Sequence, residues 1–219
     1  MKSLKNLLRV GPGPSSSHTI GPYRISKDFL SLLPKETKAI RVTLYGSLAL
    51  TGKGHGTDSI IQKAFAPLPC EVCFEYNERK LSHPNTRQCE ALNEEKVLLK
   101  KRYCSLGGGS YAEEGKKPKE NDIYPFNTFN ERKEYRKQHQ IQDRYQLIVS
   151  FEGVDILSFA TNLLSVSFHT IEASIKKEDI LPGPLKLKAV AKDIYEQANK
   201  SSDSFEKNKI GRASCRERV

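Results

Sequence analysis

Residues 39–58, AIRVTLYGSLALTGKGHGTD, contain the change of pattern that decides the fold. Their first seven residues alternate and are rich in β-branched side chains, which is typical of a β-strand. Gly46 ends that strand, and residues 47–66 combine a glycine-rich turn with a partly helical stretch. A strand that leads directly into helical sequence indicates an α+β domain, or an α/β-like one.

The rest of the chain extends this pattern in both directions, without an internal repeat. The predicted strands are 70–76 and 96–104, and the predicted helices are 23–33, 128–139, 147–175 and 186–199. Residues 112–122 are charged and predict an exposed excursion. We therefore expect a mixed sheet with packed helices, in one domain over residues 1–178, followed by a joint and the start of a second helical region over 179–209.

Length and charge narrow the function classes. The chain has 219 residues, enough for one domain or slightly more, and a formal net charge of +10. Its basic residues lie in short clusters with acids close by, so we interpret them as a solvated face and expect no nucleic-acid partner. The most apolar stretch is interrupted by Glu152, Asp155 and His169, which argues against a membrane partner. With no signal pattern at the N-terminus and few cysteines, the expected location is cytoplasmic.

The last ten residues, IGRASCRERV at 210–219, resemble the in-frame translation of a sequencing adapter. Segments of that origin are excluded from fold reasoning. Their removal lowers the formal net charge from +10 to +8 and removes Cys215. We therefore expect the natural sequence to be visible only up to Lys209 and the gene to continue beyond it.

Residues 13–19, GPSSSHT, form the first candidate site. Consecutive hydroxyl groups and a histidine on a glycine- and proline-framed loop can direct several donors at one anion, so the segment suits a carboxylate or a phosphate. A following helix would add a favourable dipole at its N-terminus. The alternative is a serine-rich linker or a simple helix cap, and the residues alone favour neither.

Residues 52–58, GKGHGTD, form the second candidate site. The segment does not meet the phosphate-loop pattern, because Gly54 follows Lys53 where serine or threonine is required. Its glycines allow a substrate close to the backbone, and His55 can accept a proton near neutral pH. Asp58 is a candidate to orient that ring. The alternative is a surface turn with an incidental histidine.

Cys70 and Cys73 have the C-x-x-C spacing of a redox pair or of half a zinc site. They fall in a predicted strand rather than before a helix, and no second pair completes a ligand set. We therefore interpret them as small packing residues. The remaining cysteines before the adapter-like segment are Cys89 and Cys104, and the turns at 82–85 and 107–109 carry little meaning alone.

Five segments, taken in order, closely resemble the iron–sulfur-dependent L-serine dehydratases (L-serine ammonia-lyases), and specifically the β part of that family. Segments 10–22 and 44–58 resemble the family's two long opening motifs. Segments 83–85 and 103–109 resemble its later turns, and 180–185 resembles the joint between its β and α parts.

The resemblance implies an elimination without pyridoxal phosphate, in which L-serine loses water to give aminoacrylate and then pyruvate and ammonia. It implies His55 as the catalytic base. The implied substrate-binding residues are Ser15, Ser16, Ser17, His18, Thr19, Lys53, Thr57, His83 and Asn85. Both histidines are then expected to border one hollow, because the base must reach a substrate that the serine-rich loop holds.

The resemblance also implies a [4Fe–4S] cluster whose open iron binds the leaving hydroxyl as a Lewis acid. The family's cluster cysteines lie in the α part, and no cysteine of this chain matches them, so we expect no metal ligand here. The implied partners are L-serine and an α-type domain or chain, with a homo-oligomer when complete. We expect this polypeptide alone to bind no cluster and to be inactive. An alternative function is a non-catalytic binding or regulatory module whose ligand is serine or a small anion.

Overall fold

A computed structural model of the chain describes residues 1–118, 122–181 and 186–200. The chain divides into two compact units, which are described separately. The first comprises residues 1–10 and 119–168, and the second comprises residues 11–118 and 169–219. The adapter-like segment at 210–219 lies outside the described residues, as do residues 182–185 of the predicted joint.

The second unit contains a five-stranded mixed sheet, which confirms the predicted fold class. The strand order is β2-β1-β3-β4-β5, with β1 and β2 parallel and the other neighbours antiparallel. The strands are β1 (Ala39–Tyr45), β2 (Cys70–Glu75), β3 (Thr86–Asn93), β4 (Lys96–Ser105) and β5 (Tyr111–Glu113). The alternation in β1 explains the layering: Ile40, Val42 and Leu44 are buried while Arg41 is exposed, so one face of the sheet is apolar.

Three helices pack against that apolar face and build the core. They are α2 (Gly21–Leu30), α3 (Gly46–His55) and α4 (Thr57–Phe65), and they contribute fully buried side chains at Ile25, Phe29, Leu48, Ile61 and Phe65. Because α3 begins directly after β1, the end of that strand fixes where α3 starts. The residues predicted to carry chemistry at 52–58 are thereby placed at the end of α3 and the beginning of α4.

The first unit is built around aromatic residues and one carboxylate. Its helices include α1 (Leu4–Leu7), α5 (Phe129–Gln138) and α6 (Arg144–Glu152), with Tyr124, Phe126 and Leu147 buried together. Glu152 accepts hydrogen bonds from Ser3 Oγ at 2.7 Å, Leu4 N at 2.6 Å and Tyr124 Oη at 2.8 Å. These bonds hold the N-terminal residues against α6.

The long helix predicted at 147–175 is two helices in the structure. Gly153 has a φ of 80°, a left-handed conformation that ends α6 at Glu152. The next helix, α7 (Ile156–Ser174), begins three residues after Gly153. Leu157, Leu164 and Phe168 of α7 are all at least half exposed. Among the described residues, no single helix combines the length and apolarity of a membrane span; α6 and α7 reach both only as a pair bent by 104°.

Three further differences from the predicted elements concern short or polar segments. The glycine- and proline-rich loop at 11–22 contains a π-helical turn, Ser16–Ile20, that continues into α2. Strand β3 was not predicted, because its polar residues hide the alternation of Cys89 and Ala91. Strand β5 occupies the start of the predicted excursion at 112–122, where it pairs with β4. The helix expected over 186–199 is α8 (Ala191–Lys200).

Candidate functional site

Hydroxyl groups hold the serine-rich turn together from within. Ser15 caps the π-helical turn, its Oγ accepting from His18 N at 3.2 Å. Thr19 is fully buried, and its hydroxyl bonds to Pro12 O at 2.8 Å and contacts Ser15 O. Ser16 is exposed, and its hydroxyl has no partner among the described residues. Of the hydroxyls predicted to bind substrate, those of Ser15 and Ser16 retain a proton to donate, whereas that of Thr19 is used within the turn.

Ser105 anchors this turn from the end of β4, and the sequence did not single it out. Its buried hydroxyl donates to Ser17 O at 2.6 Å, and its N–H donates to Asn85 O at 2.9 Å. Gly21 makes this approach possible, since a Cβ there would lie 2.0 Å from Ser105 Oγ. A serine after a predicted strand carried no signal of its own, but its place before three glycines marked a tight turn.

Arg87, in β3, supports the start of α2, and the sequence analysis did not identify it. Its side chain is fully buried and donates to Pro22 O and to Ser26 Oγ, each at 2.9 Å. Its Nε has no partner among the described residues. A buried guanidinium bonded to the first turn of a helix fixes that turn, and hence the residues of the π-helical turn before it. A lone arginine in a polar stretch gives no sequence signal for such burial.

One face of α3 presents three polar side chains in successive turns, at Ser47, Thr51 and His55. The helix begins at Gly46, a position that favours glycine because its φ is 54° and because a Cβ there would lie 2.4 Å from Pro84 O. The N–H of Ser47 donates to Pro84 O at 2.7 Å. The turn at His83-Pro84-Asn85 therefore abuts the first turn of α3.

The rings of His18 and His55 stack on each other, with centroids 4.6 Å apart and planes inclined by 28°. The two motifs that the sequence presented separately therefore meet, as expected. His18 Nε2 lies 2.9 Å from Thr51 Oγ1 and 3.2 Å from Ser47 Oγ, and its Nδ1 lies 3.0 Å from Ser17 Oγ. Burial, and secondarily the neighbouring His55, lower the pKa of His18, which favours a neutral ring.

His55 is half-buried at the end of α3 and is oriented by the helix backbone. Its Nδ1 lies 2.9 Å from Thr51 O, an atom that can only accept, so Nδ1 carries the hydrogen. Nε2 of a neutral ring is then bare and able to take a proton. The predicted orienting residue, Asp58, instead accepts from Ser59 N at 2.9 Å. A carbonyl one helical turn back replaces the carboxylate in orienting the ring.

Of the remaining predicted residues, only Thr57 forms a hydrogen bond with the histidine pair among the described residues. Thr57 is fully buried and donates to His18 O at 2.7 Å, which supports the turn from α4. Lys53 is exposed, with its Nζ 5.0 Å from the centre of the Phe74 ring. His83 Nδ1 accepts from Asn85 N at 3.0 Å. Asn85 Oδ1 is buried without a hydrogen-bond partner among the described residues, so it is a polar atom beside the site that remains to be satisfied.

The cysteines do not form a metal or redox site among the described residues. Cys70 and Cys73 are three apart in β2, so their side chains point to opposite faces of the sheet. Burial raises the pKa of Cys70 to about 12, which suppresses the reactive thiolate. No group of three or more His, Cys, Asp or Glu side chains within residues 1–118, 122–181 and 186–200 could hold a metal ion. These residues therefore do not fit the cluster that the resemblance implies.

Comparison with known proteins shows similarity to one group of enzymes. Residues 3–66, which include both histidines, match the family described as serine dehydratase beta chain. An L-serine dehydratase of Haemophilus influenzae is 28% identical over an alignment of 251 positions, which covers 91% of this chain and 55% of the relative. L-serine dehydratase 1 of Escherichia coli is 29% identical over 241 residues, covering 85% and 52%.

The chain thus spans about half the length of the curated relatives that it matches. The matched family segment contains the π-helical turn that carries His18 and the helix α3 that carries His55. By this segment the chain is similar to the beta chain of serine dehydratases, and over most of its length it is similar to L-serine dehydratases.

Proposed function

We propose that this chain is the serine-binding and proton-abstracting part of an L-serine dehydratase. The observation that carries the proposal is the stacked pair of His18 and His55 beside the serine-rich turn. It puts a half-buried ring with a bare nitrogen next to hydroxyl groups that can bind a carboxylate. An amino acid held by its carboxylate presents its Cα hydrogen within reach of such a ring.

The proposed reaction is an α,β-elimination. Nε2 of His55 takes the Cα proton of L-serine, and the electron pair of that bond forms the Cα–Cβ double bond while hydroxide leaves Cβ. The product is 2-aminoacrylate, which tautomerises and is hydrolysed to pyruvate and ammonia. His55 fits the role of base because Thr51 O fixes the hydrogen on Nδ1 and leaves Nε2 as the acceptor.

The carboxylate of the substrate is assigned to the free hydroxyls of the turn. Ser15 and Ser16 each have a hydroxyl proton available, and Ser16 is exposed. Charge-assisted hydrogen bonds of this kind are the stronger class, so two of them can orient a small ligand. Asn85, with its unsatisfied Oδ1, is the neighbouring acceptor for the substrate ammonium.

Activation of the departing hydroxide is assigned to no residue of this chain. An iron–sulfur cluster would supply that chemistry as a Lewis acid, but the described residues offer no ligand set for it. We propose that an α-type part, corresponding to the half of the relatives that this chain does not span, contributes that step. The polypeptide alone is then expected to bind L-serine without converting it.

Titration of the chain with L-serine, followed by NMR of the histidine rings, tests the binding proposal. We expect the signals of His18 and His55 to shift saturably, and a Ser16→Ala variant to bind more weakly by roughly tenfold, the usual scale for one charge-assisted hydrogen bond. A Ser165→Ala variant, which removes an exposed hydroxyl on α7, is the control and should bind normally. Absence of any ring shift at saturating L-serine would contradict the proposal.

Pyruvate release and iron content of the purified chain test the division of labour. We expect neither pyruvate nor stoichiometric iron from the chain alone. Pyruvate formed only after addition of the downstream half of a relative, and lost in a His55→Gln variant, would separate an enzyme part from a non-catalytic binding module. Turnover with bound iron by the unaccompanied chain would overturn the expected inactivity.

A further inference from the structure

Thr51 contacts both rings of the histidine pair through two different atoms. Its Oγ1 lies 2.9 Å from His18 Nε2, and its carbonyl oxygen lies 2.9 Å from His55 Nδ1. It occupies the middle position on the polar face of α3, one turn after Ser47 and one turn before His55. Among the described residues, Thr51 alone bonds to His18 through its side chain and to His55 through its backbone.

The direction of the first contact follows from the place of one hydrogen. The threonine hydroxyl lies 2.8 Å from Ser47 O, which can only accept, and we assign its single hydrogen to that bond. With this assignment, the contact with His18 is a donation from Nε2–H to Thr51 Oγ1. A neutral imidazole has one N–H, so Nδ1 of His18 is bare and accepts from the hydroxyl of Ser17 at 3.0 Å.

The second contact has the opposite consequence. A carbonyl oxygen only accepts, so His55 donates from Nδ1, and its bare nitrogen is Nε2. The two stacked rings therefore carry their hydrogens on different nitrogens, and both assignments depend on Thr51. Which nitrogen of a histidine is protonated is set by the partner of the other nitrogen, and here one residue supplies an acceptor to each ring.

We propose that Thr51 is a positioning residue that holds His18 as the Nε2–H form and His55 as the Nδ1–H form, which leaves Nε2 of His55 free for a proton. The inference extends the proposed function, on which its chemical meaning rests. It also gives Ser17 a distinct role: in this arrangement the Ser17 hydroxyl donates to His18, so towards a ligand its oxygen can only accept. Ser17 would then suit the ammonium group of an amino acid rather than its carboxylate.

NMR of the histidine ring nitrogens in the full-length chain, without ligand, tests this assignment. In the wild type we expect the hydrogen on Nε2 of His18 and on Nδ1 of His55, with His18→Gln and His55→Gln variants identifying the signals. In Thr51→Val, which keeps the shape and the carbonyl but loses the hydroxyl, the His18 Nε2 hydrogen should exchange with water roughly three- to tenfold faster. His55 should keep its hydrogen on Nδ1.

Two further variants frame that result. Thr51→Ser keeps the hydroxyl and should restore the slow exchange. Thr37→Val, which removes a hydroxyl that donates to Pro34 O, should change neither ring. Both rings with the same tautomer in the wild type, or unchanged exchange in folded Thr51→Val, would overturn the proposal. The wild-type measurement decides the tautomers even where a variant does not fold. Because it is made without L-serine, it does not depend on substrate binding, which the L-serine titration tests separately.

Discussion

Leu48 in α3 and Leu164 in α7 are the same residue in two helices, and they experience opposite environments. Leu48 is fully buried in the core of the second unit, which contains the sheet, whereas Leu164 is 57% exposed. In the same unit as Leu48, polar groups such as Ser105 and Thr57 are also buried, and each is hydrogen-bonded. The more apolar sequence belongs to α7, yet the tighter packing belongs to α3. Apolar composition therefore does not show which region contributes to the stability of this chain.

The largest expected effect comes from truncating the two leucines in parallel. Leu48→Ala should lower the free energy of unfolding by about 2–5 kcal/mol, because it removes buried methyl groups and leaves a cavity. Leu164→Ala should change it by less than about 0.5 kcal/mol, since its side chain is largely in solvent and alanine favours the helix. Urea denaturation of both variants measures the difference.

This matched pair can fail in an informative way. An equal loss in both variants would show that α7 is covered in solution, by another copy of the chain or by another segment. A small loss of unfolding free energy for Leu48→Ala would show that the core of the second unit relaxes around the missing side chain. Either result would remove the contrast between the two helices.

The next effect in size tests the contact between the serine-rich turn and β4. Gly21→Ala places a Cβ 2.0 Å from Ser105 Oγ, so the hydroxyl that anchors the turn, or the turn itself, must move. Overpacking of this kind costs about 1–3 kcal/mol. Gly107→Ala is the control, because a Cβ there meets nothing within 4 Å.

A Ser105→Ala background sharpens that test. With the hydroxyl already absent, Gly21→Ala should cost less than in the wild type, and the difference between the two costs measures the coupling. Chemical denaturation of the four proteins completes this cycle. Purely additive costs would show that the turn does not depend on the approach of Gly21 to Ser105.

Local signals predicted the parts of this molecule that depend on neighbours in sequence. Strand β1 was predicted at its observed bounds because alternation needs only seven residues to be visible. His18 and His55 were each singled out as candidate residues, since glycines frame both of their segments. The resemblance to a family then brought the two segments together, which spacing alone could not do.

What sequence reasoning missed depends on contacts between distant residues. Arg87 and Ser105 support the turn at 15–19 from β3 and β4, and nothing in their own surroundings marks them. The orientation of His55 was assigned to Asp58, whereas the backbone of Thr51 performs it. A charged partner is easy to see in a sequence, but a carbonyl one turn back exists at every helical position.

The smallest expected effect concerns the protonation of His18 and distinguishes the site from the rest of the protein. Its pKa is lowered in the folded state by burial and by the stacked His55, so the unfolded chain binds a proton more readily. The stability due to the neutral ring is present above the ordinary histidine value of about 6.5 and is lost as the pH falls from there towards the lowered pKa. The free energy of unfolding should therefore fall between pH 7.5 and pH 5.5 by more in the wild type than in His18→Gln. Urea denaturation at both pH values measures this. Because acids and the other histidines titrate in both proteins, an equal fall in the two would show that His18 does not couple folding to proton binding, and that the ring accepts a proton as readily in the fold as in the unfolded chain.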